Sequence, residues 1–322
     1  MHRIAVIAGD GVGKEVVPEG VKVLQAAVAG LEFVNFDWGS ERYLSTGRMM
    51  PEDALATLQG YDAIYLGACG WPTVPDHVSL WGLLLPIRKA FEQYVNLRPV
   101  RCLPGIASPL AGRGPADVDM LFIRENTEGE YSGTGGRVHL GHAAELAVEV
   151  PVFTRHAIER CARYAFARAM ERKKRLINVT KSNASRYTYV LWDEVIAEVG
   201  RREFPEVTIE RVLVDAMAAR MVMRPDTIDV VIGSNLFADI LTDLGAAIQG
   251  SMGLAASANL NGAIWSGALM LRHLGEEEAA TRVEAAIARV TAARVLTAEL
   301  GGRASTSEVG DAIAAEVRGS LV

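Results

Sequence analysis

Short apolar runs alternate along the chain with longer stretches of helical periodicity. Each apolar run predicts a strand, and each longer amphipathic stretch predicts a helix. The predicted strands are Ile4–Ile7, Ala63–Leu66, Val118–Ile123, Leu176–Val179, Val207–Leu213 and Val230–Ile232. The predicted helices are one that follows Gly13 and runs through Ala27, Leu80–Tyr94, Arg155–Lys174, Val190–Glu198, a helix from Asn235, Glu276–Leu296 and Ser307–Val317. This alternation predicts an α/β fold.

Polar side chains follow four of the predicted strands. They are Arg124, Lys181, Asp215 and Asn235. In open α/β sheets, ligands bind outside the carboxyl ends of the strands. Any one of these residues is unremarkable, but the four together predict a ligand site at that edge.

The turn after the first strand contains glycines at positions 9, 11 and 13. A dinucleotide-binding turn needs glycine at its first, third and sixth positions, and the sixth position here is Lys14. The turn therefore predicts a non-Rossmann fold, although its backbone can still approach a ligand closely.

Asp239 and Asp243 are four residues apart, so they share one face of a helix. The segment between them is apolar or small, and two carboxylates at its edge repel each other unless a positive charge lies between them. A hard divalent cation such as Mg²⁺ or Mn²⁺ suits carboxylate oxygens. The alternative is a first helical turn whose acidic residues favour the helix dipole, and the pair alone fits that alternative better.

Three arginines and two proton carriers complete the candidate chemistry. Arg88, Arg98 and Arg124 suit a small polyanion, because a guanidinium holds a carboxylate with two parallel hydrogen bonds. Surface ion pairs are the alternative for these arginines. Lys181 and Tyr131 are candidates for proton transfer, and the alternatives are an exposed loop lysine and a tyrosine at the edge of the core.

Composition excludes several classes of protein. Half of the residues are hydrophobic, the net charge is −6 and the pI is about 5.6, which argues against a nucleic-acid-binding protein. The three cysteines, at positions 69, 102 and 161, give neither a zinc nor a disulfide pattern, so we expect a reduced, cytoplasmic protein. No charged residue lies between Asp243 and Arg272, but polar residues and glycines interrupt the stretch. It predicts two buried elements with a polar junction at Ser257–Asn261, not a membrane helix.

Four segments carry a resemblance to a known family. They are Gly70–Trp81, Tyr94–Arg101, Arg124–Ser132 and Thr180–Asn183. The chain resembles the metal-dependent β-decarboxylating dehydrogenases of 2-hydroxy acids, the isocitrate/isopropylmalate dehydrogenase family, and most closely its tartrate/D-malate branch. The resemblance runs from Ile4 to Asn261 and from Gly262 to the end. It implies the two-domain α/β fold of that family, with a cofactor-side domain at 1–95 plus 248–322 and a substrate, metal and dimerisation domain at 96–247.

The resemblance also implies a role for each candidate residue. The arginines that hold the substrate carboxylates are Arg88, Arg98 and Arg124. The carboxylates that bind Mg²⁺ or Mn²⁺ are Asp215, Asp239 and Asp243. Lys181 is the base at the C2 hydroxyl, and Tyr131 is the acid that protonates the enol. The residues near NAD are Asn183, Gly70 and Trp71, and K⁺ is a further candidate ion. Lys181 and Asp215 come from the second subunit of a homodimer.

The activity implied is NAD-dependent oxidative decarboxylation of D-malate to pyruvate and CO₂, together with or instead of oxidation or decarboxylation of tartrate. The alternative within the family is 3-isopropylmalate. Trp81 lies seven residues before Arg88, with Leu84 and Leu85 on the same face, so its ring leaves little room for a branched substituent. A core or interface aromatic is the alternative role for Trp81.

The chain departs from the family in one place. A glycine- and histidine-containing loop of a few dozen residues, which wraps the adenine half of NAD in the family, is missing between Asn261 and Gly262. A residue is also missing around Trp71–Val74. Either the segments belong to the protein and are missing from this sequence, or they are truly deleted. We favour the first explanation, because both places lie in loops near the expected cofactor site. A true deletion opens a different hypothesis, a non-catalytic or regulatory subunit.

Overall fold

A computed structural model of the chain describes residues 1–251 and 260–320. The strands are β1 His2–Ile7, β2 Leu31–Asn35, β3 Ala63–Leu66, β4 Val95–Arg101, β5 Asp119–Glu125, β6 Gly135–Val138, β7 Leu146–Glu149, β8 Arg175–Thr180, β9 Thr208–Leu213 and β10 Val230–Gly233. The helices are α1 Gly13–Ala27, α2 Ser40–Thr46, α3 Ala54–Leu58, α4 Asp76–Ser79, α5 Leu85–Ala90, α6 Arg155–Met170, α7 Thr188–Glu203, α8 Val214–Met223, α9 Asn235–Ile248, α10 Leu260–His273, α11 Glu277–Ala292 and α12 Thr306–Gly319.

All six predicted strands are present, with ends shifted by no more than two residues. Strand β4 was not predicted, because charged and polar residues and Pro99 interrupt its apolar pattern. Proline is tolerated there because β4 is an edge strand. The predicted junction Ser257–Asn261 lies mostly on residues outside the described part of the chain.

The predicted helix Leu80–Tyr94 differs most from the structure. Helical structure begins at Asp76 and ends at Ala90, and its central segment Leu80–Leu84 is a π-helical turn. Such turns place one more residue in the turn than an α-helix does, which rotates the preceding side chains relative to the following ones.

The chain divides into two compact units. The first consists of Met1–Ala90, Cys102–Pro115 and Ala246–Val322. Its parallel sheet has the order β2-β1-β3, and the central strand β1 is apolar and buried from Ile4 to Ile7. Helix α1 packs against α10, α11 and α12, with Leu24 and Ile313 in the shared core.

The second unit consists of Phe91–Arg101 and Ala116–Gly245. Its five-stranded sheet has the order β4-β5-β10-β8-β9, and only the β4–β5 pair is antiparallel. Helices α6 and α7 pack together over this sheet with Phe166 and Trp192 fully buried. Because β5, β10, β8 and β9 run the same way, their carboxyl ends meet at one edge of the sheet.

A short hairpin, β6 with β7, forms a separate two-stranded antiparallel sheet in the second unit. All eight of its strand residues are exposed. Its apolar side chains Val138, Leu146 and Val148 therefore face solvent in the single chain.

The architecture is α/β, as the sequence predicts. The predicted domain boundaries stay a prediction; the compact units follow a similar division but place the segment 102–115 with the first unit. Within residues 1–251 and 260–320, no helix combines the length and apolar character that a membrane crossing needs. Cys69, Cys102 and Cys161 all lie in the described part of the chain and form no disulfide bond with one another.

Candidate active site

Arg124 lies at the end of β5, next to the start of α9. The β5–β10 register pairs Arg124 with Gly233, two residues before Asn235. Its Nε and Nη2 donate to Asn235 Oδ1 at 2.9 and 2.7 Å, and its Nη1 contacts Asp239 Oδ1. The side chain is only 4% exposed. Asn235 therefore holds the guanidinium in a fixed orientation toward Asp239.

Arg98 approaches the same carboxylates from β4. The antiparallel register pairs Arg98 with Phe122, which is two residues before Arg124 on the same face of β5. Arg98 Nη1 lies 3.2 Å from Asp239 Oδ1 and 3.9 Å from Asp243 Oδ1, and it donates to Thr242 Oγ1 at 2.8 Å. Burial and the charge of Asp239 raise the pKa of Asp243, and the two arginines oppose that rise. The acidic pair and two predicted arginines thus form one cluster.

Tyr131 joins this cluster through Asp239. Its hydroxyl donates to Asp239 Oδ2 at 3.4 Å, and the Arg124 guanidinium lies 5.6 Å from its ring centroid. Burial and the charge of Asp239 raise the pKa of Tyr131. Tyr131 therefore keeps its proton at neutral pH, as a proton donor must.

Lys181 and Asp215 form a second pair in the same unit. Lys181 follows β8, Asp215 lies in the first turn of α8, and Nζ is 2.5 Å from Oδ1. The hydrogen bond from Lys181 lowers the pKa of Asp215. In the described part of the chain, no three His, Cys, Asp or Glu side chains are close enough together to hold a metal ion. Asp239 and Asp243 carry carboxylate oxygens, the type of donor that Mg²⁺ and Mn²⁺ prefer.

Trp81 and Arg88 lie on the helical segment of the first unit. The expectation that Trp81 shares the face of Arg88 stays a prediction, because a π-helical turn lies between the two residues. Lys89 Nζ lies 4.9 Å from the centroid of the Trp81 ring. Trp81 is 45% exposed, Arg88 is partly buried, and Leu85 is in the core. The expectation assumed an unbroken α-helix, in which residues seven apart share a face.

Gly70 and Trp71 also lie in the first unit, at a cavity of about 540 Å³ bordered by residues 70–76. The Gly70 N–H donates to the buried carboxylate of Asp10 at 2.9 Å, and Asp10 also accepts from the backbone and hydroxyl of Ser40. Gly70 has φ +150°, which side-chain-bearing residues rarely adopt, so glycine suits this position.

Asn183 borders a different cavity, of about 480 Å³, in the second unit. Ser182 and Arg211 border it as well, and Ser182 Oγ donates to Asp193 Oδ2 at 2.6 Å. The structure thus groups the predicted site residues into five places: the Asp239 cluster, the Lys181–Asp215 pair, the two cavities, and the Trp81–Arg88 helix.

Sequence reasoning missed the residues that support the cluster. Asn96 and Thr242 accept from Arg98, and Glu130 accepts from the start of α9. Glu130 lies inside the motif Arg124–Ser132, which was the signal that could have found it. Asn96 lies inside the motif Tyr94–Arg101 in the same way, whereas Thr242 lacks a sequence signal because its bond from Arg98 depends on how α9 packs beside β4.

The sequence model of a family described as isocitrate/isopropylmalate dehydrogenase matches residues 3–263 and 261–313. The chain belongs to this family. It is 45% identical over 355 positions to a protein of Agrobacterium vitis named probable tartrate dehydrogenase/decarboxylase, covering all of this chain and 99% of that protein. It is 45% identical over 351 positions to the D-malate dehydrogenase (decarboxylating) of Escherichia coli (strain K12), covering 97% of each. The crystal structure of isocitrate dehydrogenase from Methylococcus capsulatus superposes with a TM-score of 0.88 at 30% identity, covering 99% of this chain and 100% of that chain.

The family comparison also shows what this chain lacks. The 355 positions aligned with the Agrobacterium protein include 322 residues of this chain, which leaves 33 positions without a counterpart. The two family matches meet at residues 261–263, and Asn261 and Gly262 are consecutive residues of helix α10. Our expectation that residues were missing from the sequence is therefore wrong, because the full chain is continuous there.

Members of this family are oxidoreductases that generally depend on NAD(P) and a divalent metal ion. They act on small dicarboxylic hydroxy acids and are often dimers. The predicted family and its tartrate branch are confirmed by the relatives described above.

Proposed function

We propose that this protein is an NAD- and divalent-metal-dependent dehydrogenase that oxidatively decarboxylates a small 2-hydroxy dicarboxylic acid, either D-malate or tartrate. The observation that carries this proposal is the convergence of Arg98, Arg124, Asp239 and Tyr131 at the carboxyl edge of one sheet. The site therefore combines anion-binding, metal-binding and proton-donating groups within a few ångströms. The names of the relatives support the reaction and the substrate class.

Arg98 and Arg124 bind the substrate carboxylates. Arg124 is suited to this because Asn235 fixes its orientation before substrate arrives. A guanidinium that is already fixed loses little conformational entropy on binding. The substrate carboxylates replace Asp239 as partners of the arginines.

Asp239 and Asp243, with Asp215 of a second copy, hold Mg²⁺ or Mn²⁺. When bound, the ion lowers the pKa of the C2 hydroxyl and stabilises negative charge on the C2 oxygen. With the metal ion bound, Asp239 would have that ion as its partner in place of Arg98 and Arg124. This role would account for a carboxylate beside two substrate-binding arginines. K⁺ is a further candidate ion for this site.

Lys181 of the second copy removes the proton from the C2 hydroxyl. Asn183, Gly70 and Trp71 are the residues that would hold NAD, which would supply the acceptor for the hydride from C2. The C3 carboxylate then leaves as CO₂, its bonding electron pair passes into the enolate, and Tyr131 delivers its proton to C3. Tyr131 suits this last step because it stays protonated at neutral pH.

Exposed apolar side chains on the helices that carry the acidic residues support the proposed homodimer. Ile240 lies on α9 beside Asp239 and is 57% exposed, and Met223 lies on α8 with Asp215 and is 71% exposed. Apolar surface of this kind is typical of an interface. A symmetric pairing that covers both helices brings the Lys181–Asp215 pair of one copy to the Asp239 cluster of the other.

The aligned positions that have no counterpart in this chain support a second candidate function of another class, that of a non-catalytic or regulatory subunit. The resemblance implies that the absent segment wraps the adenine half of NAD, so its loss weakens cofactor binding. Such a subunit binds a hydroxy acid without turning it over. The complete set of arginine, lysine, tyrosine and aspartate residues favours the enzyme.

A substrate panel tests the proposal. Purified protein is assayed with D-malate, tartrate, 3-isopropylmalate and isocitrate, with NAD or NADP, Mg²⁺ or Mn²⁺, and with or without K⁺. NADH and CO₂ are measured together, and we expect both products with D-malate or tartrate. Preference for 3-isopropylmalate would move the protein to that alternative. No turnover with any acid, combined with no NAD binding by calorimetry, would establish the non-catalytic subunit.

A further inference from the structure

The carboxylate of Glu130 is enclosed by three neutral donors. Ser234 Oγ donates to Glu130 Oε1 at 3.0 Å, the Leu236 N–H donates to Oε2 at 3.1 Å, and the Tyr189 hydroxyl donates to Oε1. A charged acceptor strengthens each of these hydrogen bonds. Glu130 therefore joins two segments of the second unit, the loop after β5 and the start of α9.

Two of these donors lie at the start of α9, Ser234 just before the helix and Leu236 in its first turn. The first N–H groups of a helix have no partner within the helix, and a carboxylate beside them also favours the helix dipole. Ser234 Oγ accepts from the Phe237 N–H at 3.4 Å, while Glu130 takes the Leu236 N–H. Glu130 thus fixes where α9 begins.

The third donor, Tyr189, is held by aromatic packing. Its ring stacks on Phe237 with centroids 4.7 Å apart and lies 5.2 Å from Phe153. Burial and the charge of Glu130 raise the pKa of Tyr189, so it remains a donor. The hydrogen bond from Tyr189 to Glu130 therefore connects α7 to the start of α9.

We infer that Glu130 is a positioning residue, which holds the first turn of α9 at a fixed place relative to Tyr131. Tyr131 is the next residue along the chain, and Asp239 lies one helical turn beyond Leu236. The Tyr131–Asp239 contact joins the loop after β5 to α9. The hydrogen bonds of Glu130 already connect these two segments. The kinetic consequence rests on the proposed function, in which Tyr131 protonates C3.

Glu128 provides a matched control two residues earlier. Its carboxylate accepts from the N–H and hydroxyl of Thr154 at 2.5 and 2.9 Å, next to the start of α6. Glu128 is also a glutamate of the motif Arg124–Ser132. Its side chain, however, accepts hydrogen bonds at the start of α6 and not at the start of α9. The bond from Asn235 Nδ2 goes to the backbone oxygen of Glu128, so Glu128→Gln leaves that bond in place.

The kinetic test compares Glu130→Gln, Tyr189→Phe and Glu128→Gln. Proton exchange at C3 of pyruvate in D₂O, followed by NMR with Mn²⁺ and NADH present, is the reverse of the step given to Tyr131. We expect Glu130→Gln to lower this exchange and kcat together by roughly 10- to 100-fold, with little change in KM, because a displacement of about 1 Å has that effect. Tyr189→Phe should show a smaller loss in the same direction, and Glu128→Gln should stay near wild type. Equal losses in Glu130→Gln and Glu128→Gln would refute the inference.

Amide hydrogen exchange measured by mass spectrometry tests the same inference without any turnover. In Glu130→Gln, we expect faster exchange in the peptides covering 129–133 and 234–238, with 153–158 unchanged. Glu128→Gln should give the opposite pattern. If Glu130→Gln leaves 234–238 protected, the inference fails even for an active enzyme. A protein with no activity on any hydroxy acid but with the expected exchange pattern would overturn the proposed function and keep the positioning role.

Discussion

The hydroxyl of Tyr131 lies 3.4 Å from Oδ2 of Asp239, while Arg124 contacts Oδ1 of the same carboxylate. One carboxylate therefore touches both the proposed proton donor and a proposed substrate-binding guanidinium. The three residues come from the loop after β5, from α9 and from β5 itself, so their contact depends on the packing of the second unit.

Replacing Tyr131 with Phe removes the proton donor and leaves the ring in place. We expect kcat for D-malate to fall by roughly 10² to 10⁴, the usual contribution of a positioned acid, with KM little changed. Steady-state kinetics with Mn²⁺ and NAD measure this. Tyr61→Phe, whose ring packs on Phe36 in the other unit, is the control and should keep full activity. A wild-type kcat in Tyr131→Phe would exclude Tyr131 as the acid.

Replacing Lys181 with Met removes the proposed base. We expect oxidation of the hydroxy acid to be lost, while decarboxylation of added oxaloacetate continues in part, because that step starts after the C2 proton has gone. Lys174→Met is the matched control, since Lys174 is an exposed lysine paired with Glu206. Unchanged turnover of D-malate in Lys181→Met contradicts the assignment.

Mixing two inactive variants tests whether the site is shared between subunits. Lys181→Met and Asp239→Asn are unfolded together and refolded as mixed dimers. If each site uses Lys181 from one copy and Asp239 from the other, a mixed dimer has one intact site, and activity returns to roughly a quarter of wild type by random pairing. Each variant refolded alone is the control. No regained activity in dimers shown to be mixed would place both residues in one subunit's site.

Trp81 provides the test of substrate choice. Trp81→Ala removes a bulky ring from the helix that carries Arg88, and we expect kcat/KM for 3-isopropylmalate to rise relative to D-malate by about 10-fold or more. Trp81→Phe retains most of the ring and should change the ratio little. A constant ratio in both variants would mean that Trp81 has only a structural role, at the surface or in an interface.

The thiol of Cys69 predicts that the folding stability of the first unit depends on pH. Burial, with the charge of Asp10, raises the pKa of its thiol from 9.0 to about 12, and Arg88 opposes this. The unfolded thiol then ionises before the folded one, so this contribution to stability is complete below pH 9 and is lost as the pH rises toward 12.

Urea unfolding at pH 8 and pH 10 measures the effect. We expect the free energy of unfolding to fall by about 1 kcal/mol more in wild type than in Cys69→Ala over this interval. The folded protein should also react slowly with iodoacetamide at Cys69 at pH 8, because the thiolate is the reactive form. An identical pH dependence in both proteins would show that the thiol titrates normally.

The sequence by itself determined the α/β class and the positions of six of the ten described strands, and it proposed the candidate site residues. Local periodicity reports which face a residue occupies, which is why the Asp239–Asp243 pair and the strand-end residues Arg124, Lys181 and Asn235 could be identified. The motif resemblance added the family, which the comparisons of whole chains confirm.

Only the tertiary structure decided which of these residues touch. Strand order and register place Arg98 beside Arg124 across the β4–β5 pair and Lys181 beside Asp215 across β8 and β9. The π-helical turn breaks the α-helical spacing between Trp81 and Arg88. The hydrogen bond of Glu130 to the start of α9 depends on how the loop after β5 packs against that helix, although Glu130 itself lies in the motif Arg124–Ser132. The physical reason is that periodicity describes one segment at a time, whereas contacts between distant segments depend on how the sheet pairs and how the helices pack on it.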